Sequence, residues 1–306
     1  NKMLKYFKLV RAGNLLFIAL TMYLVKYGLF HPFQVPITLN FLGITLLVLA
    51  VIFVAAAGYI INDLYDVKAD QTNRPDRTLV NNQISEKTAY NLFFIFNILG
   101  VLLGFYMSNL IGRPGFTAFF ILGSAALYIY NSQLQQTLLV GNFIVSLIIG
   151  LVPVGVGLYD LLPAITPENQ ATQSTIFSIL VDYGIFAFLI NFIREIVKDQ
   201  EDVDGDYNAG YQTLSLNLGK DRVNKILAVL SIFPIAFLIY YIYEYLFDTI
   251  AAVMYVLLLL VGPLLYFAIN IWNADKKKEY TRLSKLLKIV MFFGLISIGL
   301  LQFILI

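Results

Sequence analysis

The sequence predicts an all-α membrane protein with nine transmembrane helices, and three observations lead there. Its 306 residues are 59% hydrophobic and only 13% charged, with a mean hydropathy of +0.77. Soluble domains carry roughly 25% charged residues. Uncharged apolar stretches of about 18 residues or more recur along the chain, each long enough to cross ~30 Å of hydrocarbon as a helix. The charge is concentrated in the polar segments between them. There is no cysteine, which excludes a disulfide framework, a thiolate metal site and a thiolate nucleophile. The net charge of +2 points to no nucleic-acid partner. No cleavable-signal pattern precedes the first apolar run, so that run is expected to be retained.

Residues 1–11 read as a basic amphipathic lead-in at the membrane surface. The first span is 13–30, with Lys26 close enough to its far end to snorkel. His31 to Pro36 is a turn. A second, uncharged span covers 38–61 and runs into Asn62-Asp63-Leu64-Tyr65-Asp66-Val67-Lys68-Ala69-Asp70. A polar loop follows to Lys87. The third span is 88–110, and Arg113-Pro114-Gly115 turns into a fourth at 115–131. A polar stretch, Asn131 to Thr137, precedes the fifth span at 141–159, and a Pro- and Gln-bearing loop covers 160–175. The sixth span, 176–196, runs into Asp199-Gln200-Glu201-Asp202-Val203-Asp204-Gly205-Asp206. A polar loop to about 223 leads to spans at 226–246, 250–272 and 288–306.

Nine spans place the loops on alternating sides. The N-terminus and the loops after spans two, four, six and eight then hold 19 of the 21 Lys and Arg residues; Arg113 and Lys26 are the other two. The positive-inside rule puts that side, with both Asp stretches, in the cytoplasm. The Asp stretches lie 136 residues apart (199 minus 63), each at the end of a span. Four spans separate them, so a single domain over 1–306 could contain two parallel four-helix repeats, about 13–131 and 141–272.

The Asp stretches carry the chemistry. Asp63, Asp66 and Asp70 stand at i, i+3 and i+7, as do Asp199, Asp202 and Asp206, a spacing that gathers each trio on one face of a continuous helix. Like charges at a membrane edge are costly without a counter-ion. Clustered hard oxygens facing a phosphate suit Mg²⁺, with Asn62 beside the first trio. Arg194, Lys198, Lys68, Arg74 and Arg77 are interleaved with the acids. Arg favours bidentate phosphate contact and Lys acts as a point charge. A charge cluster in a loop is ordinarily a solvated face; two trios of identical spacing at equivalent span ends argue otherwise. Lys276-Lys277-Lys278, Arg282, Lys285 and Lys288 read as a basic loop facing anionic lipid. His31 reads as a turn residue. Asp182, inside the sixth span, is interfacial or functional. Asn191 and Glu195 lie one turn apart on the approach to Asp199, the first facing a cavity and the second extending the acid cluster.

These residues resemble the UbiA superfamily of intramembrane prenyltransferases. The likeness is carried by Asn62-Asp63-x-x-Asp66-x-x-x-Asp70 with Asn73-Arg74-Pro75, and by Arg194-Glu195-x-x-Lys198-Asp199-x-Glu201-Asp202-x-x-Gly205-Asp206. Arg11, Asn14, Gly141-Asn142 and Ala209 to Leu214 add to it. The resemblance implies nine helices around a central cavity open to lipid, with Mg²⁺ on the two motifs holding the diphosphate of a polyprenyl donor. Asp63, Asp66, Asp70, Asp199, Asp202 and Asp206 would serve the metal and Asn62 would orient the first set. Arg74, Arg194 and Lys198 would hold the diphosphate, with Arg11, Asn14, Glu195 and Asn191 as further candidates. Gln135 and Gln136 stand where such proteins often carry Lys or Arg, and Lys68 or Arg77 are the nearest substitutes. The Asn73-Arg74-Pro75-x-Arg77 run looks most like the branch that prenylates geranylgeranylglyceryl phosphate. An aromatic quinone precursor is the alternative acceptor. An ion-coupled transporter is the alternative of another class, although its acids would sit near the bilayer midplane.

Overall fold

The computed structural model describes residues 3–73, 75, 78–134 and 139–305. Every regular element among them is a helix. In chain order they are α1 (Leu4–Leu9), α2 (Ala12–Phe30), α3 (Phe41–Tyr65), α4 (Val67–Asn73), α5 (Glu86–Leu110), α6 (Thr117–Ile129), α7 (Val140–Ala164), α8 (Gln170–Glu201), α9 (Val203–Ala209), α10 (Leu214–Leu218), α11 (Lys220–Leu246), α12 (Ile250–Ile271) and α13 (Lys277–Leu300). Eight of them pass for membrane spans on length and composition: α2, α3, α5, α7, α8, α11, α12 and α13. The remaining expected span, 115–131, forms as α6 and a π-helical turn over Tyr130–Leu134. That turn carries Asn131, Ser132 and Gln133, which shortens its apolar length. The count of nine expected from sequence is therefore eight by this measure among the described residues.

Local chemistry sets the helix starts. Asn40 caps α3 by accepting the Gly43 N–H at 2.8 Å, and Ser85 caps α5 by accepting the Thr88 N–H at 3.2 Å. Small residues bring the spans together. A Cβ on Gly150 of α7 would lie 2.7 Å from the Gly184 carbonyl of α8, so these two helices meet backbone to backbone. Gly100 of α5 makes a similar approach to Ala50 and Val54 of α3. Three buried clusters result, one under α2, α3 and α8, one among α8, α11, α12 and α13, and a smaller one where α1, α3 and α5 approach the first Asp stretch.

Lys26 corrects the expectation of a snorkelling side chain. It is 2% exposed and its ammonium lies 2.6 Å from the Asp160 carboxylate. It also donates to the Leu39 carbonyl at 2.6 Å. The other Asp160 oxygen accepts the N–H groups of Thr38 and Leu39 at 3.0 and 2.6 Å. Lys26 and Asp160 both stand in π-helical turns, Val25–Phe30 and Gly157–Leu161, where the i→i+5 pattern departs from the regular helix. The pair ties α2, α7 and the segment before α3 together at the end of the bundle away from the Asp stretches. Asp182 is likewise paired, accepting from the Tyr241 hydroxyl of α11 at 2.8 Å.

Lys26→Ala would leave Asp160 buried without its counter-charge, at a cost of about 3–5 kcal/mol. Thermal unfolding in detergent should show a clear loss of stability, partly recovered when Asp160→Asn is added. An unchanged melting temperature in Lys26→Ala would mean that the pair does not join these helices.

Candidate active site

Both Asp stretches interrupt their helices at the central aspartate. α3 ends at Tyr65, and Asp66 sits at φ −85°, ψ 2° before α4 begins. α8 ends at Glu201, and Asp202 sits at φ −105°, ψ 9° before α9 begins. The 136-residue offset maps one break onto the other and α4 onto α9, residue for residue. The expectation of one uninterrupted helical face through each trio is thereby corrected. Each break turns the last two helical turns so that α4 and α9 pack on each other. The closest point is Gly205, where a Cβ would collide with the Asn73 side chain and the Ala69 carbonyl. Only glycine admits that approach.

Asn73 fills the space left by the missing Cβ. Its amide nitrogen donates to the Asp202 carbonyl at 3.0 Å, and its amide oxygen accepts the Gly205 N–H at 3.0 Å. One side chain at the end of the first stretch thus grips the backbone of the second. Lys277, in the first turn of α13, donates to the Asn73 carbonyl at 2.9 Å and lies 4.0 Å from the Asp202 carboxylate. Thr281, one turn on, donates to Glu201 at 2.9 Å. The Lys276–Lys278 run, expected as a loop facing lipid, is therefore the start of a helix with Lys277 turned to the acids.

Around the first trio, Arg11 donates to Asn62 at 2.6 Å and to Asp63 at 3.0 Å. Its backbone is left-handed, at φ 50°, in the corner between α1 and α2. For a non-glycine residue that costs roughly 1–2 kcal/mol, and here it turns the guanidinium towards the acids. Asn62 donates to Asp66 at 2.8 Å and to Asn131 at 2.9 Å. Tyr211 donates to Asp66 at 2.9 Å. Burial, then the charge and hydrogen bond of Asp66, push the Tyr211 phenol well above its usual range, so it stays a donor at any working pH.

Around the second trio, Asn142 donates to Asp199 at 2.8 Å. Glu195 bears on Asp199 and also pairs with cations, 2.9 Å from Lys198 and 3.6 Å from Arg194. Asn191 is buried and donates to Ser146 of α7 at 3.1 Å, which links two spans. Asn14 accepts from Lys288 at 2.9 Å. Lys68 is exposed on α4. Arg74, Arg77, Gln135 and Gln136 lie outside the described residues. Tyr130 stands in the π-helical turn beside Asn131, whose amide oxygen accepts from Asn62.

Among the described residues no three carboxylates converge closely enough to enclose an ion on their own. The donors are nevertheless all hard oxygens: Asp63, Asp66 and Asp70 from one side, Asp199, Asp202 and Asp206 from the other, with the Asn62 amide. Such a set suits a cation that keeps waters and completes its shell with phosphate oxygens. Asn73, Asn131, Asn142, Tyr211, Tyr130 and Lys277 are the neighbours that spacing alone did not single out. For Asn131 and Asn142 a signal existed, since each opens or closes a span beside a polar stretch.

A helical membrane bundle with paired acid motifs at one end, rimmed by Arg and Lys, is the architecture of an intramembrane enzyme. The chain belongs to the UbiA prenyltransferase family, whose model matches residues 14–296. It is an intramembrane prenyltransferase. It is similar to digeranylgeranylglyceryl phosphate synthase of Methanothermobacter thermautotrophicus, 35% identical over 80% of each chain. The enzyme of that name from Methanobrevibacter smithii is 29% identical over 95% of each. The fold is shared with a UbiA homologue from Archaeoglobus fulgidus bound to GPP and Mg²⁺, at a TM-score of 0.57 and 17% identity, over 96% of this chain and 99% of that one.

If Asn73 holds the two motifs in register, Asn73→Ala should lower kcat by about 10²-fold, the cost of misplacing reacting groups by roughly 1 Å. Thr72→Ala removes only a 3.5 Å contact with Asn208 and should change little. Equal effects of the two substitutions would contradict the assignment.

Proposed function

We propose that this enzyme transfers a geranylgeranyl group from its diphosphate to geranylgeranylglyceryl phosphate in a Mg²⁺-dependent reaction. The observation that carries the reading is the pairing of α4 with α9, which brings two acid motifs of identical spacing to one place. The names of the archaeal relatives support the acceptor, and the GPP- and Mg²⁺-bound homologue supports the donor class and the metal.

Asp63, Asp66, Asp70, Asp199, Asp202 and Asp206 would hold Mg²⁺, which supplies positive charge against the diphosphate as it leaves. Asn62, Asn142 and Tyr211 fix the carboxylates in orientation through the hydrogen bonds described above. Arg194 and Lys198 bind diphosphate oxygens, joined by Arg74, Arg77 and Lys68 from the first motif and its loop. The allylic carbon–oxygen bond breaks and its electron pair leaves with the diphosphate. The acceptor hydroxyl oxygen forms the new carbon–oxygen bond and its proton passes to the released diphosphate. The apolar spans exclude water from the cationic carbon between these events. The charge distribution, with 19 of 21 basic residues on one side, supports a cytoplasmic location for the N-terminus and both motifs. The matched breaks at Asp66 and Asp202 support two related halves of four spans within one domain.

The test is prenyl transfer by purified protein with radiolabelled geranylgeranyl diphosphate and Mg²⁺. Geranylgeranylglyceryl phosphate, 4-hydroxybenzoate and dihydroxynaphthoate are offered in parallel. Transfer to the glyceryl phosphate, reduced about 10²-fold or more in Asp66→Ala and in Asp202→Ala, is the expected result. Transfer to an aromatic acid alone would overturn the acceptor. Activity that survives both substitutions would overturn the role of the paired motifs.

A further inference from the structure

The last span reaches the site twice. Lys277, Thr281, Ser284 and Lys288 fall within about 60° of one another around α13. The first two touch Asn73, Asp202 and Glu201, as described. Lys288 stands 11 residues beyond Lys277, about 16 Å deeper along the helix axis. Its ammonium donates to the neutral Asn14 amide of α2 at 2.9 Å rather than to a carboxylate.

The packing of α13 on α8 fixes what Lys288 faces. Thr281 meets Glu201, a Cβ on Gly294 would meet Phe186, and Ser297 meets the Tyr183 hydroxyl at 2.7 Å. The helices are antiparallel and the paired numbers sum to 480–482. That register sets Lys288 level with Arg194. Arg194 and Lys198 are the like charges that bear on Lys288.

Arg194 and Lys198 are paired with Glu195, and Lys198 also bears on Asp199, whereas Lys288 donates to a neutral amide. The Arg194 Nε is buried with no partner among the described residues. Asn14 also lines an open recess of about 400 Å³ with Lys8 and Arg11. Lys288 is exposed and, among the described residues, its ammonium is held only by a neutral amide, which leaves donors for a bound anion.

We propose that Lys288, with Asn14, binds the phosphate of the acceptor, apart from the donor diphosphate held at the Asp motifs with Arg194 and Lys198. This rests on the reading of the acceptor as a glyceryl phosphate. In such a molecule the reacting hydroxyl stands only a few bonds from the phosphate. Two anionic groups must then be held side by side, and a further cation next to the first site permits it. Lys277 serves the motif rim, while Lys288 serves the acceptor.

Steady-state kinetics in lipid nanodiscs on the wild type, Lys288→Gln and Lys288→Arg test this. Geranylgeranylglyceryl phosphate and its dephosphorylated analogue are offered as acceptors. Lys288→Gln should raise KM for the phosphorylated acceptor about tenfold or more, the loss expected for one charge-assisted hydrogen bond, with the donor KM within about twofold. It should also erase the preference over the dephosphorylated analogue, and Lys288→Arg should restore it. A rise in donor KM instead, or no change in either, overturns the proposal while leaving the reaction standing. No transfer to the glyceryl phosphate by the wild type overturns both.

Discussion

The contact between Asn73 and Gly205 is the constraint on which the site depends. Six aspartates distributed over two span ends repel one another, and nothing in either helix alone brings the trios together. The pairing of α4 with α9 does so through a glycine that leaves room and an amide that uses it, donating to Asp202 and accepting from Gly205. A neutral side chain suits this task because it adds no charge to an already crowded acidic site. Lys277 then closes the junction from the last span, so three distant segments of chain meet at one residue.

The rest of the bundle handles polarity by the same rule: a charge inside the membrane is matched where it lies. Lys26 and Asp160 neutralise each other and satisfy two backbone N–H groups at the far end. Asp182 takes a tyrosine hydroxyl, and Asn191 takes a serine. These pairs hold spans together away from the chemistry. At the motif end the paired acids stand beside Arg194, Lys198 and Lys288. Acids and bases on adjacent surfaces suit a metal–diphosphate complex beside a second anion.

Much of this was legible in the sequence. The spans followed from apolar length, and the paired motifs followed from spacing that composition would not produce by chance. What spacing did not reveal was the interruption of each helix at Asp66 and Asp202, because nothing in the residues there breaks a helix outright. The break is imposed by packing, through Gly205 and Asn73, which lie 132 residues apart. Lys26 and Lys277 were read as lipid-facing for the same reason. A lysine near a span end usually snorkels, and its true partner, Asp160 or Asn73, is more than a hundred residues away or in a different span. The bond from Asn191 to Ser146 was not legible either, since it depends on the close approach of Gly150 to Gly184 that brings α8 onto α7.

The central claim is that the two motifs form one site through the pairing of α4 with α9. The absence of cysteine makes it directly measurable by cross-linking Thr72→Cys with Asn208→Cys, whose native side chains are exposed and 3.5 Å apart. Mild oxidation should join the two cysteines in high yield in the membrane, and the cross-linked protein should retain prenyl transfer. Failure to cross-link, or loss of transfer that is restored on reduction, would show that the motifs work in some other arrangement.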